Sequence, residues 1–174
     1  MLCNSTAKVL QKVAYGTRRL VHIEKRIEDL GYVLPPVPPE PRGSYMTFLR
    51  HGNMVYISGH LPQFVDGTLM QGRLGENLTV EEGKQATRLA ALQMMASLKG
   101  ACGDLDKVKK VIKLTGFVSS TNDFYEQATV MNGCSDLFGE VFGMDIGRHA
   151  RAAIGVNVLP LGIPVEVEGI VEVE

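Results

Sequence analysis

The last ten residues of the chain, Val165 to Glu174, alternate between apolar and acidic side chains along most of their length. Successive side chains of a β-strand point to opposite faces, so this alternation predicts a strand with one apolar face and one acidic face. A strand of this kind is stable only in a sheet whose apolar side is covered by another layer. The apolar face holds Val165, Val167, Val171 and Val173, and the acidic face holds Glu166, Glu168, Glu172 and Glu174.

The rest of the sequence divides into segments with helical or β-strand patterns. Thr79 and Glu82 have the spacing of a capping box, which marks the start of a helix. The five prolines between residues 34 and 41 cannot supply the hydrogen bonds of regular structure. In chain order, the patterns predict a helix over residues 5–30 broken near Gly16, an extended strap over 34–41, strands at 45–50 and 54–58, a helix from Thr79 to about Leu98, a strand at 108–119, a helix at 124–142, and strands at 148–158 and 165–174.

This order predicts an α+β fold, in which a mixed β-sheet carries two helices on one face. Residues 1–42 form an N-terminal helix and proline-rich strap, and residues 43–174 form the main domain. The other face of the sheet needs a cover, and oligomerisation would supply it.

Composition narrows the class of function. Lysine and arginine number 18 against 19 aspartate and glutamate, so the formal charge of −1 gives no overall attraction to nucleic acid or to an anionic membrane. No apolar run is long enough for a transmembrane helix. The four histidines lack the short spacing of a metal site, and the three cysteines lack a CxxC pair, which favours a reducing, cytoplasmic compartment. The first 23 residues carry no acid and also fit a mitochondrial transit peptide, although a mature helix explains them better.

Arg151 is the strongest candidate for ligand binding. On the predicted strand it shares a face with Ala153, Gly155 and Asn157, whose small size leaves room in front of the guanidinium. Its planar fork can bind a carboxylate through two parallel hydrogen bonds. The alternative, which spacing alone favours, is an ion pair with Glu166 or Glu168 of the next strand.

Three other patterns carry weaker signals. Glu166 and Glu168 lie on one strand face, where paired carboxylates can act as general acid and base, although a solvated acidic face is commoner. Ser58, Gly59 and His60 bring a hydroxyl close to an imidazole, but the nucleophile elbow of serine hydrolases is absent. The lysines at 107, 109, 110 and 113 form a basic cluster that is more typical of a solvated surface than of nucleic-acid binding.

Three segments together resemble the reactive intermediate deaminase family, also called Rid, YjgF or the liver perchloric-acid-soluble protein family. They are Tyr45 to Pro62, Gly103 to Val118, and Ala150 to Val156 with Val165 to Glu168. The resemblance implies a chorismate-mutase-like fold and a homotrimer with sites between subunits. It also implies cofactor-free hydrolysis of enamines or imines such as 2-aminoacrylate to a 2-oxo acid and ammonia, the reaction of 2-iminobutanoate/2-iminopropanoate deaminases.

The resemblance also assigns roles to individual residues. It implies that Arg151 binds the substrate carboxylate and that Glu166 positions the hydrolytic water. Ala153 stands where cysteine is frequent in the family, and His60 stands where glutamine is frequent. Because of these two differences, the resemblance does not identify the substrate. Two other hypotheses are a non-catalytic sensor of 2-oxo acids and an endoribonuclease, which the near-neutral charge disfavours. The further substrate-binding residues that the resemblance implies are Tyr45, Ser58, Gly59, Asn132 and the backbone of Ala153.

Overall fold

The computed structural model of the protein describes residues 22–174. The first part of the predicted N-terminal helix, its break at Gly16 and the basic segment that fits a transit peptide lie outside the described residues. Helix α1 spans Ile23–Asp29 and ends where predicted, because Gly31 adopts a left-handed conformation (φ 81°) beyond it. Ile27 is fully buried and belongs to the main hydrophobic core. The domain boundary at residue 42 stays a prediction.

A hairpin follows the strap. Strand β1 (Phe48–His51) pairs antiparallel with strand β2 (Met54–His60) across a tight turn at Gly52, as the sequence indicated. Strand β1 begins three residues later than predicted, so Tyr45 precedes the sheet instead of lying in it.

Helix α2 (Val80–Cys102) begins at the predicted capping box. The Thr79 hydroxyl accepts a hydrogen bond from the Glu82 backbone N–H, and the Glu82 carboxylate accepts one from the Thr79 N–H. The predicted end near Leu98 is wrong, since the helix continues through Gly100 and stops at Gly103 (φ 79°). Glycine is needed at position 100 because it faces Pro38 and Phe48, where a side chain would collide.

The second half of the chain completes the sheet. The predicted limits of two segments were too wide, since the third helix begins at Gln127 and the fourth strand at Ala150. The alternation of the last strand is confirmed, because its valines are buried and its glutamates are not. The elements are strand β3 (Val108–Ser119), helix α3 (Gln127–Phe142), a short helix α4 (Met144–Gly147), strand β4 (Ala150–Val156) and strand β5 (Val165–Val173).

The five strands form one mixed sheet in the order β1-β2-β5-β3-β4, with only the β3–β4 pair parallel. Helices α2 and α3 pack on one face, where Met94 and Met131 cover glycines of β5 and β3. The opposite, outer face retains exposed apolar side chains, namely Leu49 (54%), Tyr56 (45%) and Ile154 (47%). Within residues 22–174, every helix is too short or too polar to cross a lipid bilayer.

Candidate functional site

Arg151 lies near the start of the edge strand β4 and points towards helix α3. Its Nη1 atom donates to Asn132 Oδ1 (2.9 Å) and to Ser135 Oγ (3.0 Å). Its Nη2 atom donates to the carbonyl oxygen of Ala128 (3.1 Å). These three acceptors are spaced by four and three residues, so they form one stripe of the helix. Helix α3 therefore fixes the direction of the guanidinium.

The expected alternative, an ion pair between Arg151 and Glu166 or Glu168, is wrong. Strand β3 separates β4 from β5, and all three acceptors of Arg151 are uncharged. A guanidinium has five N–H donors. The three hydrogen bonds leave one N–H on Nε and one on Nη2 without a partner among residues 22–174. The charge of Arg151 is thus oriented but not neutralised.

A second layer of hydrogen bonds supports this arrangement. Ser135 Oγ lies 3.0 Å from His149 Nε2, and His149 Nδ1 lies 2.6 Å from the Gly147 carbonyl oxygen. The sequence reasoning missed both Ser135 and His149. Two signals were available, since Ser135 is one turn beyond Asn132 and His149 precedes Arg151 by two residues.

Glu166 lies at the start of β5 and is half-buried. Its carboxylate covers Gly59, so that a Cβ atom at position 59 would overlap Glu166 Oε1. Burial raises the pKa of Glu166 above its ordinary value, and the negative charge of Glu168 raises it further. A raised pKa makes the carboxylate a better proton acceptor than an ordinary glutamate, which suits a group that accepts and returns a proton.

Replacing Glu166 by glutamine is expected to stabilise the protein increasingly as pH rises. Because its pKa is raised by folding, Glu166 binds its proton more tightly in the folded state, so its contribution to stability is present below the ordinary carboxyl pKa and is lost as pH rises through the raised one. Glutamine has no such loss. Melting temperatures of both proteins between about pH 4 and 8 test this. Glu140→Gln, at an exposed position of α3, is the control, and a pH-independent difference would contradict the expectation.

Three of the predicted substrate-binding residues lie in or before the hairpin, and one of them, Gly59, contacts Glu166. Ser58 Oγ donates to the Met46 carbonyl oxygen (2.6 Å), which holds the loop before β1 against β2. Tyr45 is exposed, and its hydroxyl accepts a hydrogen bond from the Arg42 N–H (3.4 Å). Tyr45 and Gly59 line a cavity of about 550 Å³ whose other wall is the proline strap. The strap is therefore one boundary of the cavity at Tyr45 and Gly59.

His60 is buried in the core and has no contact with the Ser58 hydroxyl. Its Nδ1 lies 2.7 Å from the Ser58 carbonyl oxygen and its Nε2 lies 2.7 Å from Ser97 Oγ of helix α2. Burial lowers the pKa of His60, so the imidazole is neutral and serves packing. The geometry gives no serine–histidine pair here.

The candidate residues fall into two groups on opposite faces of the sheet. Arg151 is paired with Leu114 of β3, and Glu166 is paired with Phe117. Leu114 and Phe117 are three residues apart in a regular stretch of strand, so their side chains point to opposite sides. Arg151 and Asn132 therefore lie on the helical face and Glu166 on the outer face.

A family model described as "YjgF/chorismate mutase-like, putative endoribonuclease" matches residues 24–171. The chain belongs to this family. It is similar to protein TCP17 of Trypanosoma cruzi, with 45% identity over 150 residues that cover 86% of this chain and 93% of that protein. A 2-iminobutanoate/2-iminopropanoate deaminase of Dermatophagoides farinae is 30% identical over 142 residues, which cover 80% of this chain and 93% of that protein.

The fold agrees with a solved structure. The crystal structure of protein Atu1372 of Agrobacterium tumefaciens, described as of unknown function, has 41% identity and a TM-score of 0.80. The superposition covers 88% of this chain and 94% of that one. The match to the YjgF/chorismate mutase-like family begins within α1, whereas the motifs seen in the sequence begin at about Gly43. Helix α1 and the strap are thus included in the family match.

Within this YjgF-type fold, only the backbone of Ala153 is available to bind a ligand. Its side chain lies on the same face as Arg151 and packs against the core beside Gly116 of β3. Strand β4 is an edge strand, so half of its backbone N–H and C=O groups point away from the sheet.

The lysine cluster does not form a free basic surface. Three of its four members bind acceptors of the protein itself, and Lys113 lines an outer-face cavity of about 310 Å³ together with Glu168. In the part of the chain that the structure describes, no three histidine, cysteine, aspartate or glutamate side chains are close enough to hold a metal ion. The lysine contacts are from Lys107 to the Cys102 carbonyl, from Lys109 to the Glu174 carboxylate and from Lys110 to the Asp145 carbonyl.

Proposed function

We propose that the protein hydrolyses small 2-imino acids, and the enamines from which they form, to 2-oxo acids and ammonia. The observation that carries this proposal is the state of Arg151. Three neutral acceptors orient its guanidinium while two N–H groups stay unpartnered. This arrangement suits one small carboxylate, because a carboxylate pairs with two adjacent guanidinium N–H groups. The similarity to the named deaminase of Dermatophagoides farinae supports the same choice.

The chemistry requires no cofactor. The protonated imine carbon is electrophilic, so water adds to it and the resulting tetrahedral intermediate expels ammonia. The C=N bond is replaced by C=O, and one imino acid and one water yield one 2-oxo acid and one ammonium ion. In this proposal the Glu166 carboxylate takes a proton from the attacking water and returns it to the leaving nitrogen. Arg151 holds the carboxylate so that the imine carbon meets that water.

We further propose that each site lies between two copies of the chain in a homotrimer. Arg151 and Glu166 point to opposite faces of one sheet, so residues of a single chain do not enclose a common substrate. A second copy placed against the outer face would bring its Arg151 towards Glu166 and would cover the exposed apolar side chains there. Repeating the same contact around a threefold axis closes the ring.

Turnover of freshly generated imino acids tests the proposal. A lyase that releases 2-aminoacrylate from serine is coupled to detection of pyruvate, and pyruvate release should accelerate when the protein is added. The corresponding 2-imino acids with four and five carbons form the rest of the panel. Binding of pyruvate through Arg151 without acceleration on any member would instead support the sensor hypothesis. We do not favour an endoribonuclease, because the lysines that might bind phosphates are engaged.

A further inference from the structure

We propose that Ser135 and His149 are positioning residues, which act through hydrogen bonds to hold the Arg151 guanidinium in the direction needed to bind the substrate carboxylate. This inference rests on the proposed function and adds two residues to its site. Ser135 contacts Arg151 through Nη1 and His149 contacts Ser135, so neither occupies the free N–H groups on Nε and Nη2 and their effect is indirect. They form one chain of contacts, from Arg151 Nη1 through Ser135 Oγ and the His149 ring to the Gly147 carbonyl.

The chemistry of the end groups fixes where the protons lie. The Gly147 carbonyl can only accept, so the hydrogen of neutral His149 is on Nδ1. Nε2 then carries a lone pair and accepts the hydroxyl hydrogen of Ser135. With its hydrogen directed at the imidazole, Ser135 presents its oxygen lone pairs to Arg151 Nη1. The neutral imidazole therefore makes Ser135 an acceptor for the guanidinium.

Protonation of His149 would reverse one of these bonds. Nε2 would become a donor, so the Ser135 hydrogen would have to turn away and its oxygen would be shared between two cations. The structure opposes this state, because burial lowers the pKa of His149 and the charges of Arg151 and Lys110 lower it further. The hydrogen bond to Gly147 acts in the opposite direction but is a smaller effect than burial.

The surroundings of His149 supply no charge that would replace this network. Lys110 faces it from β3 and Arg151 from β4, while Phe138 of α3 packs edge-on with its ring centroid 6.2 Å away. His149, Ser135 and Arg151 line a cavity of about 510 Å³. Three further charged side chains line it, and among residues 22–174 none of them has a hydrogen bond or ion pair with His149. They are Asp136 and Glu140 of α3 and Arg148 before β4.

Variants separate this role from packing. His149→Phe keeps an aromatic ring against Phe138 but removes the acceptor for Ser135, whereas His149→Gln offers an amide oxygen near the Nε2 position and cannot titrate. Ser135→Ala removes the link itself. His51→Phe, at the exposed end of strand β1, is the matched control for the loss of a histidine.

Steady-state kinetics on a 2-imino acid should show a roughly tenfold rise of KM in Ser135→Ala and His149→Phe, with kcat changed by less than about threefold, because the lost bond reaches a charged group. His149→Gln and His51→Phe should stay close to the wild type. In the wild type KM should rise as pH falls below the ordinary histidine range, and in His149→Gln this rise should be absent. Unchanged KM in both Ser135→Ala and His149→Phe would overturn the proposal.

A readout without substrate separates this inference from the proposed function. Nitrogen-15 NMR of the free protein should show His149 protonated on Nδ1 and slow hydrogen exchange of the Arg151 Nη1 groups, with faster exchange in Ser135→Ala. If no imino acid is hydrolysed but exchange accelerates in this way, the proposed function fails and the positioning role stands. If imino acids are hydrolysed while exchange and KM are unaffected by Ser135→Ala, the positioning role fails alone. Protonation of His149 on Nε2 would also overturn it.

Discussion

Replacing Arg151 by alanine is expected to lower kcat/KM for a 2-imino acid by roughly 10²–10³-fold, since removing one partner of a charge pair that is enclosed at an interface, as proposed here, costs about 2–5 kcal/mol. Arg151→Lys keeps the charge but loses the fork, so it should recover only part of this loss. A lysine cannot bond to Asn132, Ser135 and Ala128 while also holding a carboxylate through two bonds. The coupled assay of pyruvate release should give kcat/KM values that fall from the wild type to Arg151→Lys and then to Arg151→Ala.

This prediction has two matched controls, one variant of the protein and one alternative substrate. Arg26→Ala removes an arginine from helix α1, far along the chain from the site, and should leave kcat/KM unchanged. An imine that lacks the carboxylate should be hydrolysed equally slowly by the wild type and by Arg151→Ala, because neither can use the guanidinium. If circular dichroism shows that Arg151→Ala is folded and the variant retains full activity, binding of the substrate carboxylate by Arg151 does not account for the activity.

Co-assembly of Arg151→Ala with Glu166→Gln is expected to restore activity that neither variant has alone. If each site takes its arginine from one copy and its glutamate from the next, every mixed trimer contains one site with both groups. Random assembly of equal amounts then yields about a quarter of the wild-type number of sites. A site formed within one chain would give no recovery. Co-expression followed by activity measurement and native mass spectrometry gives both the recovery and the proportion of mixed trimers.

This mixing experiment has its own control. Arg151→Ala co-assembled with the double variant carrying Arg151→Ala and Glu166→Gln has no intact arginine in any copy, so its activity should remain at background. Mixed trimers of the two single variants that stay inactive would show that the two groups do not meet across an interface.

The sequence predicted which helices and strands form better than it predicted the residues at which they begin and end. The alternation of valine and glutamate determined both the position of β5 and its buried face, because the periodicity of a strand acts over every residue. The end of α2 was predicted too early, since Gly100 resembles a helix stop in isolation. It is glycine because Pro38 and Phe48, which lie far away in the sequence, leave no room for a side chain. Long-range contacts of this kind leave no local pattern.

The candidate site was predicted only in part, because it also depends on contacts between residues that are distant in sequence. The predicted space in front of Arg151 is not formed by its small strand neighbours, since Ala153 packs against the core and the guanidinium turns to helix α3. Spacing also favoured an ion pair that the strand order excludes. Pairing between strands that are distant in sequence determines that order. Ser135 and His149 were missed because their spacing from Asn132 and Arg151 is a weak signal when each segment is considered alone. They become neighbours only when α3 packs on β4.

The contact between Gly59 and Glu166 has a consequence for how the family can vary. Every amino acid except glycine brings a Cβ atom, and at position 59 that atom would take the space of the Glu166 carboxylate. If Glu166 acts as proposed, a mutational scan of activity should find position 59 as intolerant of substitution as position 166. Glycine is required at position 59 because it has no side chain.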